Sequence, residues 1–277
     1  MPELPEVEAI ARTLRPLVRG RRIRCALILH PIALKPQTPR EFVDRVESRR
    51  ILDVARHGKY LFLETDSAWI EMHFRFDGQL LWFGSVAAME RALAGGEAHV
   101  DVALEFDRGV LGFVDRRHFG RVHAWASKAE CKPLRTLGTD AFSREFTAQT
   151  LRARLARSRR PLKDFLLDQS RFAGIGNIYS CEAMWHARLD PRRPANTLRP
   201  DEAGRLHKAI VSVLRRALEC CLDPAPDFQD ASWWFQGLER ILRVYQREGL
   251  ACRRCGSPIQ RIEQSGRSTY CCKTCQL

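Results

Sequence analysis

From Val7 onward the apolar positions recur at Val7, Ile10, Ala11, Leu14, Leu17 and Val18, with Gly20 where a helix C-cap would stand. That spacing predicts one amphipathic helix. The pattern then shortens. Strand-like runs follow at 23–29, 51–55, 60–64, 68–74, 79–83, 100–106, 110–114 and 122–126, separated by turn signals such as His57-Gly58, Asp77-Gly78 and Asp107-Arg108-Gly109. Eight short strands so spaced predict a β-sandwich or barrel with the first helix flanking it. Residues near 128–143 carry Pro133 and Gly138 and no periodicity, as a linker would. Beyond them the pattern is helical, with candidate helices at 144–156, 162–167, 178–185 and 200–222. A Pro/Asp-rich stretch from Asp223 to Asp230 then breaks the pattern ahead of Trp233-Trp234-Phe235 and a cysteine cluster.

Composition narrows the partner. The chain has 277 residues and 45% hydrophobic content, enough for more than one packed core. A formal charge of +13 and a pI near 9.7 point to a polyanion, nucleic acid first. No apolar run reaches membrane-spanning length, and the acidic, proline-punctuated start is unlike a signal peptide. The expectation is a cytoplasmic protein with no membrane partner. Five of the ten cysteines crowd the last 26 residues.

In a reducing compartment that crowding favours metal over disulfides. Cys252-x2-Cys255 and Cys272-x2-Cys275 are separated by 16 residues, the pattern of two knuckles on a β-hairpin. One structural zinc ion is the expected cofactor, because a closed four-thiolate site supplies folding energy that so short a segment cannot find by burial. Cys271 competes with Cys272 for the third position, and the two-residue knuckle favours Cys272.

Two further stretches carry possible chemistry. If Met1 is trimmed, the chain starts with the secondary amine of Pro2. An α-amino group titrates near neutrality, and a secondary amine condenses with an aldehyde to an iminium that keeps its positive charge. Glu3 and Glu6 lie within reach in sequence for proton transfer or for holding that cation. The plainer interpretation is a helix start, with Pro5 at the first helical position and acids at the positive end of the dipole. Downstream, Ala173-Gly174-Ile175-Gly176-Asn177-Ile178 separates two apolar helices. Its glycines would expose amides at a helix N-terminus to a phosphate, with Asn177 as cap and donor and Lys163 supplying charge. An ordinary helix-helix turn is the competing interpretation.

Met-Pro-Glu-Leu-Pro-Glu-Val-Glu at the start, Gly-Ile-Gly-Asn-Ile-Tyr in the middle and the Cys-x2-Cys-x16-Cys-x2-Cys-Gln end together resemble the formamidopyrimidine-DNA glycosylase/endonuclease VIII family, in order and over the whole chain. Leu4-Pro5 resembles the formamidopyrimidine branch. The resemblance implies a multidomain α+β protein: a catalytic β-sandwich with flanking helix (1–127), a linker (128–143), a helix-two-turn-helix DNA-binding module (144–235) and a zinc-finger hairpin (236–277). It implies Pro2 as Schiff-base nucleophile, Glu3 as general acid/base, Glu6 as a supporting carboxylate and Lys59 as a catalytic lysine on the lesion's phosphate. It further implies Asn177 and Arg267 as phosphate contacts, Phe76 where the family carries a methionine wedge, and Arg117 and Phe119 as the second wedge. A flipped nucleotide leaves a gap that planar or aromatic side chains fill. Core packing is the alternative for Phe76 and Phe119, and a solvated hairpin tip for Lys59.

The chain departs from the pattern at 223–235, where family members that read oxidised guanine carry a Gly/Thr-rich loop, and at Gln246, where glycine is common. Trp233 and Trp234 suit either base stacking or an apolar clamp. The expectation is a monomeric, bacterial-type bifunctional DNA glycosylase and AP lyase of base excision repair, acting on damaged double-stranded DNA of the nucleoid. Oxidised or ring-opened purines are favoured; oxidised pyrimidines, bulky adducts or silent binding of damaged DNA are the alternatives.

Overall fold

The computed structural model describes residues 2–229 and 237–277. Trp233, Trp234 and Phe235 lie outside the described residues. Within them the chain forms two compact units. The first comprises Pro2, residues 6–136 and residues 221–229; the second comprises Glu3–Pro5, residues 137–220 and residues 237–277.

The first unit takes in α1 (Leu4–Val18) from Glu6 onward. Its 3.6-residue stripe is wholly buried at Val7, Ile10, Leu14 and Val18, as the spacing predicts. Eight strands follow: β1 (Cys25–Ile28), β2 (Ile51–His57), β3 (Tyr60–Thr65), β4 (Trp69–His73), β5 (Gln79–Phe83), β6 (Val100–Glu105), β7 (Val110–Val114) and β8 (Arg121–Trp125). They form two antiparallel sheets, ordered β1-β6-β7-β5 and β2-β3-β4-β8, which make the β-sandwich. All eight expected strands are present. Three helices escaped the hydrophobic pattern because they are short: α2 (Pro39–Val46), α3 (Val86–Ala94) and α4 (Lys132–Thr136). The first of them was legible from its cap. Thr38 and Glu41 form a reciprocal capping box ahead of Pro39.

The second unit holds β9 (Thr139–Asp140), α5 (Ala148–Leu155), α6 (Leu162–Leu167), β10 (Phe172–Ala173), α7 (Asn177–Ala187), α8 (Pro200–Cys221), α9 (Leu238–Ile241) and the hairpin β11 (Gln260–Gln264) with β12 (Arg267–Cys271). Helix α5 starts four residues later than expected, because Thr147 rather than Arg144 accepts the first free amide.

Two boundaries differ from the expected ones. The stretch 128–143 carries α4 and β9, and it divides between the units after Thr136. Residues 221–229 cluster with the sandwich, because Trp82 N–H donates to the Phe228 carbonyl (2.9 Å) and the Gln229 side chain donates from Nε2 to the Trp82 carbonyl (3.0 Å). Hydrogen bonding to the β5 edge thus outweighs sequence adjacency to α8. The helical module and the zinc hairpin form one unit, joined by the core of Cys181, Trp185, Val244, Cys252, Ile259 and Cys272.

Candidate active site and nucleic-acid interface

Pro2 is buried, and Glu3 after it is 2% exposed. A buried carboxylate needs partners, and Glu3 finds them at the start of α7. Ile178 N–H donates to its Oε1 at 3.0 Å and Tyr179 N–H to its Oε2 at 3.5 Å. The helix dipole adds to this attraction. The expectation for this turn is therefore corrected. Gly176, not Asn177, is the N-cap, and two of the amides at this helix start, those of Ile178 and Tyr179, are taken by Glu3. The glycine is required, because a Cβ at 176 would lie 2.2 Å from the Glu3 carboxyl carbon.

Asn177, the first residue of α7, donates from Nδ2 to the Ser268 carbonyl at 3.0 Å, while its Oδ1 is buried without a partner. Lys163 also differs from expectation. It is 0% exposed, and its Nζ donates to the Ser268 carbonyl (2.9 Å) and to Thr269 Oγ1. Burial, assisted by the Arg267 charge, lowers its pKa. A side chain so enclosed anchors β12 and offers no charge to a phosphate in this structure. Arg267, at the tip end of β12, is exposed and lines a depression of about 380 Å³ with Arg160, Asp164 and Gln169.

In the first unit, Glu6 is 2% exposed in the first turn of α1. Lys59 lies at the β2–β3 turn but is 7% exposed, so it is no solvated hairpin tip. Nearby His73 is neutral: burial first, then the Arg75 and Lys59 charges, hold its pKa down to about 3. Its Nδ1 accepts from Arg75 N–H at 3.2 Å and so fixes the start of the β4–β5 turn. Gly78 closes that turn where a Cβ would meet the Phe74 carbonyl oxygen at 2.5 Å.

This turn presents Phe76, 57% exposed, and the β7–β8 turn presents Phe119, 48% exposed. Core packing is thereby excluded for both. Their rings meet edge to face at 5.7 Å, and the Arg117 guanidinium lies 5.3 Å from one centroid and 5.4 Å from the other. Asp77 pairs with Arg117, a partner the sequence pattern did not reveal. The two turns converge on one exposed aromatic-cationic tip.

Cys252, Cys255, Cys272 and Cys275 cluster with their sulfurs within 4.8 Å of one another. Zinc–sulfur bonds of about 2.3 Å in a tetrahedron put sulfurs about 3.8 Å apart. The Cys255–Cys272 and Cys252–Cys275 separations of 3.5 and 4.0 Å bracket that value. The donor set therefore fits one structural zinc ion. Cys271 is buried outside the cluster, which settles the ligand choice for Cys272. Trp185 Nε1–H donates to Cys252 Sγ at 3.4 Å. Glu182, another residue the pattern did not single out, accepts the amides of Arg243, Val244 and Tyr245 and so fixes the approach to the finger. Its signal was a lone acid within the apolar run of α7. Gln246 has φ 54, the left-handed region that explains why glycine suits this position.

Three protein families match the chain in order. They are the formamidopyrimidine-DNA glycosylase N-terminal domain (residues 1–122), the formamidopyrimidine-DNA glycosylase H2TH domain (137–223) and a zinc finger found in FPG and IleRS (249–277). A formamidopyrimidine-DNA glycosylase of Chloroflexus aurantiacus is 41% identical over 281 residues, covering 100% of this chain and 98% of that one. Among solved structures, the MutM (Fpg) protein of Thermus thermophilus is 36% identical with a TM-score of 0.83, covering 99% of this chain and 98% of that one. The Lactococcus lactis Fpg (MutM) in complex with N7-benzyl-Fapy-dG-containing DNA is 28% identical with a TM-score of 0.87 and covers 99% of both chains.

Proposed function

The chain belongs to the formamidopyrimidine-DNA glycosylase family, the DNA glycosylases of base excision repair, and from that premise we propose that it is a bifunctional glycosylase and AP lyase whose nucleophile is Pro2. Its substrate is a ring-opened or oxidised purine in duplex DNA. The Lactococcus lactis relative, bound to N7-benzyl-Fapy-dG DNA, supports that choice. The protein acts as a monomer.

With Met1 removed, the Pro2 nitrogen attacks C1′ of the damaged nucleotide. A C–N bond forms to the protein, the glycosidic bond breaks, and the base leaves with a proton. Glu3 protonates the ring oxygen as the sugar opens, leaving an iminium on Pro2. Loss of a C2′ proton then expels the 3′ phosphate, and a second elimination expels the 5′ phosphate. Water hydrolyses the remaining iminium and restores the amine. Lys59 holds the phosphate of the extruded nucleotide, Asn177 and Arg267 hold neighbouring phosphates, and Glu6 supports the cation. Phe76, Arg117 and Phe119 fill the vacated stack.

The observation that carries the reading is the buried Glu3 carboxylate, next to Pro2 and gripped by two backbone amides of α7. So held, it has a fixed place from which to exchange a proton. Borohydride trapping on an abasic-site duplex tests the assignment. A covalent adduct is expected, and it disappears when the terminus is extended by one residue. Strand nicking that persists undiminished with a blocked terminus would refute it.

The closed zinc site takes no part in the chemistry. The four thiolates leave no coordination position for water, so the ion, when bound, fixes only the hairpin that presents Arg267.

A further inference from the structure

Beyond the zinc finger, a second set of potential metal-binding atoms lies in the sandwich. His30, Asp101 and His118 each offer one ligand atom, and the three atoms lie within 4.8 Å of one another. Each residue comes from a different segment, and each segment is fixed by backbone hydrogen bonds. Asp101 stands on β6; its carbonyl accepts from both Leu29 N–H (2.9 Å) and His30 N–H (3.0 Å), which holds His30 beside it at the end of β1. His118 stands in the β7–β8 turn, where its N–H donates to the Asp115 carbonyl at 3.2 Å. The turn is set by Asp115, whose two carboxylate oxygens accept from Arg117 N–H (3.0 Å) and Gly120 N–H (2.6 Å). Asp115 is thereby satisfied and takes no part in the cluster. At φ 55 His118 sits in the left-handed region, with its ring 2.7 Å from Asp101 through Nδ1 and Oδ1.

The hydrogen bond to His118 leaves half of Asp101 unexplained. The residue is 0% exposed, and its second oxygen, Oδ2, is buried with no hydrogen-bond partner. A buried carboxylate oxygen of this kind calls for a positive charge or a donor. The His30 ring lies 4.8 Å from the His118 ring, at the same place. Two imidazoles and one carboxylate are the donor set of borderline divalent ions. Metal–ligand bonds of about 2.0–2.2 Å bring ligand atoms roughly 3–4 Å apart, so the widest pair closes by about an ångström. His30 is exposed and lies just past the end of β1, which permits that adjustment.

We infer that His30, Asp101 and His118 form a second metal site, for a zinc-class divalent ion, built into the base of the turn that carries Arg117 and Phe119. Three protein ligands leave at least one position for water or a phosphate oxygen, so this site is open where the thiolate site is closed. An ion bound there replaces the His118–Asp101 hydrogen bond with two coordinate bonds and a third to His30. It fixes the residue lying between Arg117 and Phe119, and with it the spacing of the aromatic tip.

The test uses full-length protein with its finger loaded with zinc, titrated with Co2+ alone. A second equivalent of metal is expected, giving weak d–d absorption without the intense charge-transfer band of thiolate ligation. His30→Ala, at an exposed position that folding does not need, weakens Co2+ binding by about tenfold or more. Asp101→Asn does the same, with circular dichroism and melting run beside it to show that the sandwich is intact. Zn2+ displaces the Co2+. If the zinc-loaded protein takes up no second equivalent, or if His30→Ala binds Co2+ as the unsubstituted chain does, the site does not exist and the cluster is a hydrogen-bonded pair with a bystander imidazole. Neither result bears on Pro2 chemistry, which borohydride trapping reads separately.

Discussion

Gly176→Ala isolates the role of Glu3 without touching a titratable group. The added Cβ would stand 2.2 Å from the Glu3 carboxyl carbon and 2.3 and 2.5 Å from its oxygens, so the carboxylate must leave its place. The backbone at 176 is extended (φ −122), so the alanine itself brings no strain. What is lost is one good amide-to-carboxylate hydrogen bond at 3.0 Å and a marginal one at 3.5 Å. A hydrogen bond to a charged group contributes about 1.5–3 kcal/mol. A partly buried anion at a helix N-terminus adds up to about 2 kcal/mol. The expected loss is thus about 2–4 kcal/mol of stability, seen as a melting point several degrees lower. If Glu3 is the proton donor, nicking of an abasic-site duplex under single-turnover conditions should slow by about 10²-fold or more. Affinity for a non-cleavable abasic analogue, measured by anisotropy, should change far less. Gly204→Ala, in α8 with nothing within 4 Å of the new Cβ, is the control; it should leave nicking unchanged and add about 0.5–1 kcal/mol. The reasoning fails if folded Gly176→Ala protein nicks as fast as its parent.

Three other outcomes follow from the geometry. Phe76→Ala and Arg117→Ala should slow excision of a damaged base far more than nicking of a preformed abasic site, and melting should barely move because the tip is exposed; equal losses in both assays would remove the wedge role. Arg267→Ala should lower the slope of log binding constant against log salt by about one phosphate contact, whereas Lys163→Met should leave the slope alone while destabilising the β12 anchor; a slope change for Lys163 would put it back on the DNA. His73, with its pKa held at about 3 rather than 6.5, is neutral in the fold, so the unfolded chain binds the extra proton between those values. Its contribution is complete above the ordinary value and is lost as pH falls, by about 2 kcal/mol at about pH 5. Urea unfolding of the parent and of His73→Gln at neutral and mildly acid pH should show that acid loss only in the parent.

Periodicity determined much about this protein by itself. The eight strands follow from short apolar runs between turn signals, and the buried face of α1 from its 3.6-residue stripe, local signals that hold whatever each element later packs against. The four thiolates were legible because two-residue knuckles set their mutual geometry locally. Pro2, Glu3 and the tip residues stood out through chemical type and sequence resemblance. Tertiary structure alone decided the partners. Glu3 meets the amides of Ile178 and Tyr179, 175 and 176 positions away, and only the folded chain shows that these two are taken. Lys163 reads as a surface cation until a carbonyl and a hydroxyl more than a hundred residues on enclose it. His118 meets Asp101 because a left-handed turn aims its ring back at β6. The stretch after α8 runs to the edge of a strand, where Phe228 and Gln229 meet Trp82. Spacing along a chain encodes the facing of each segment, but a buried charge takes whichever donors the fold brings within about 3 Å, and that choice is made only when distant segments meet.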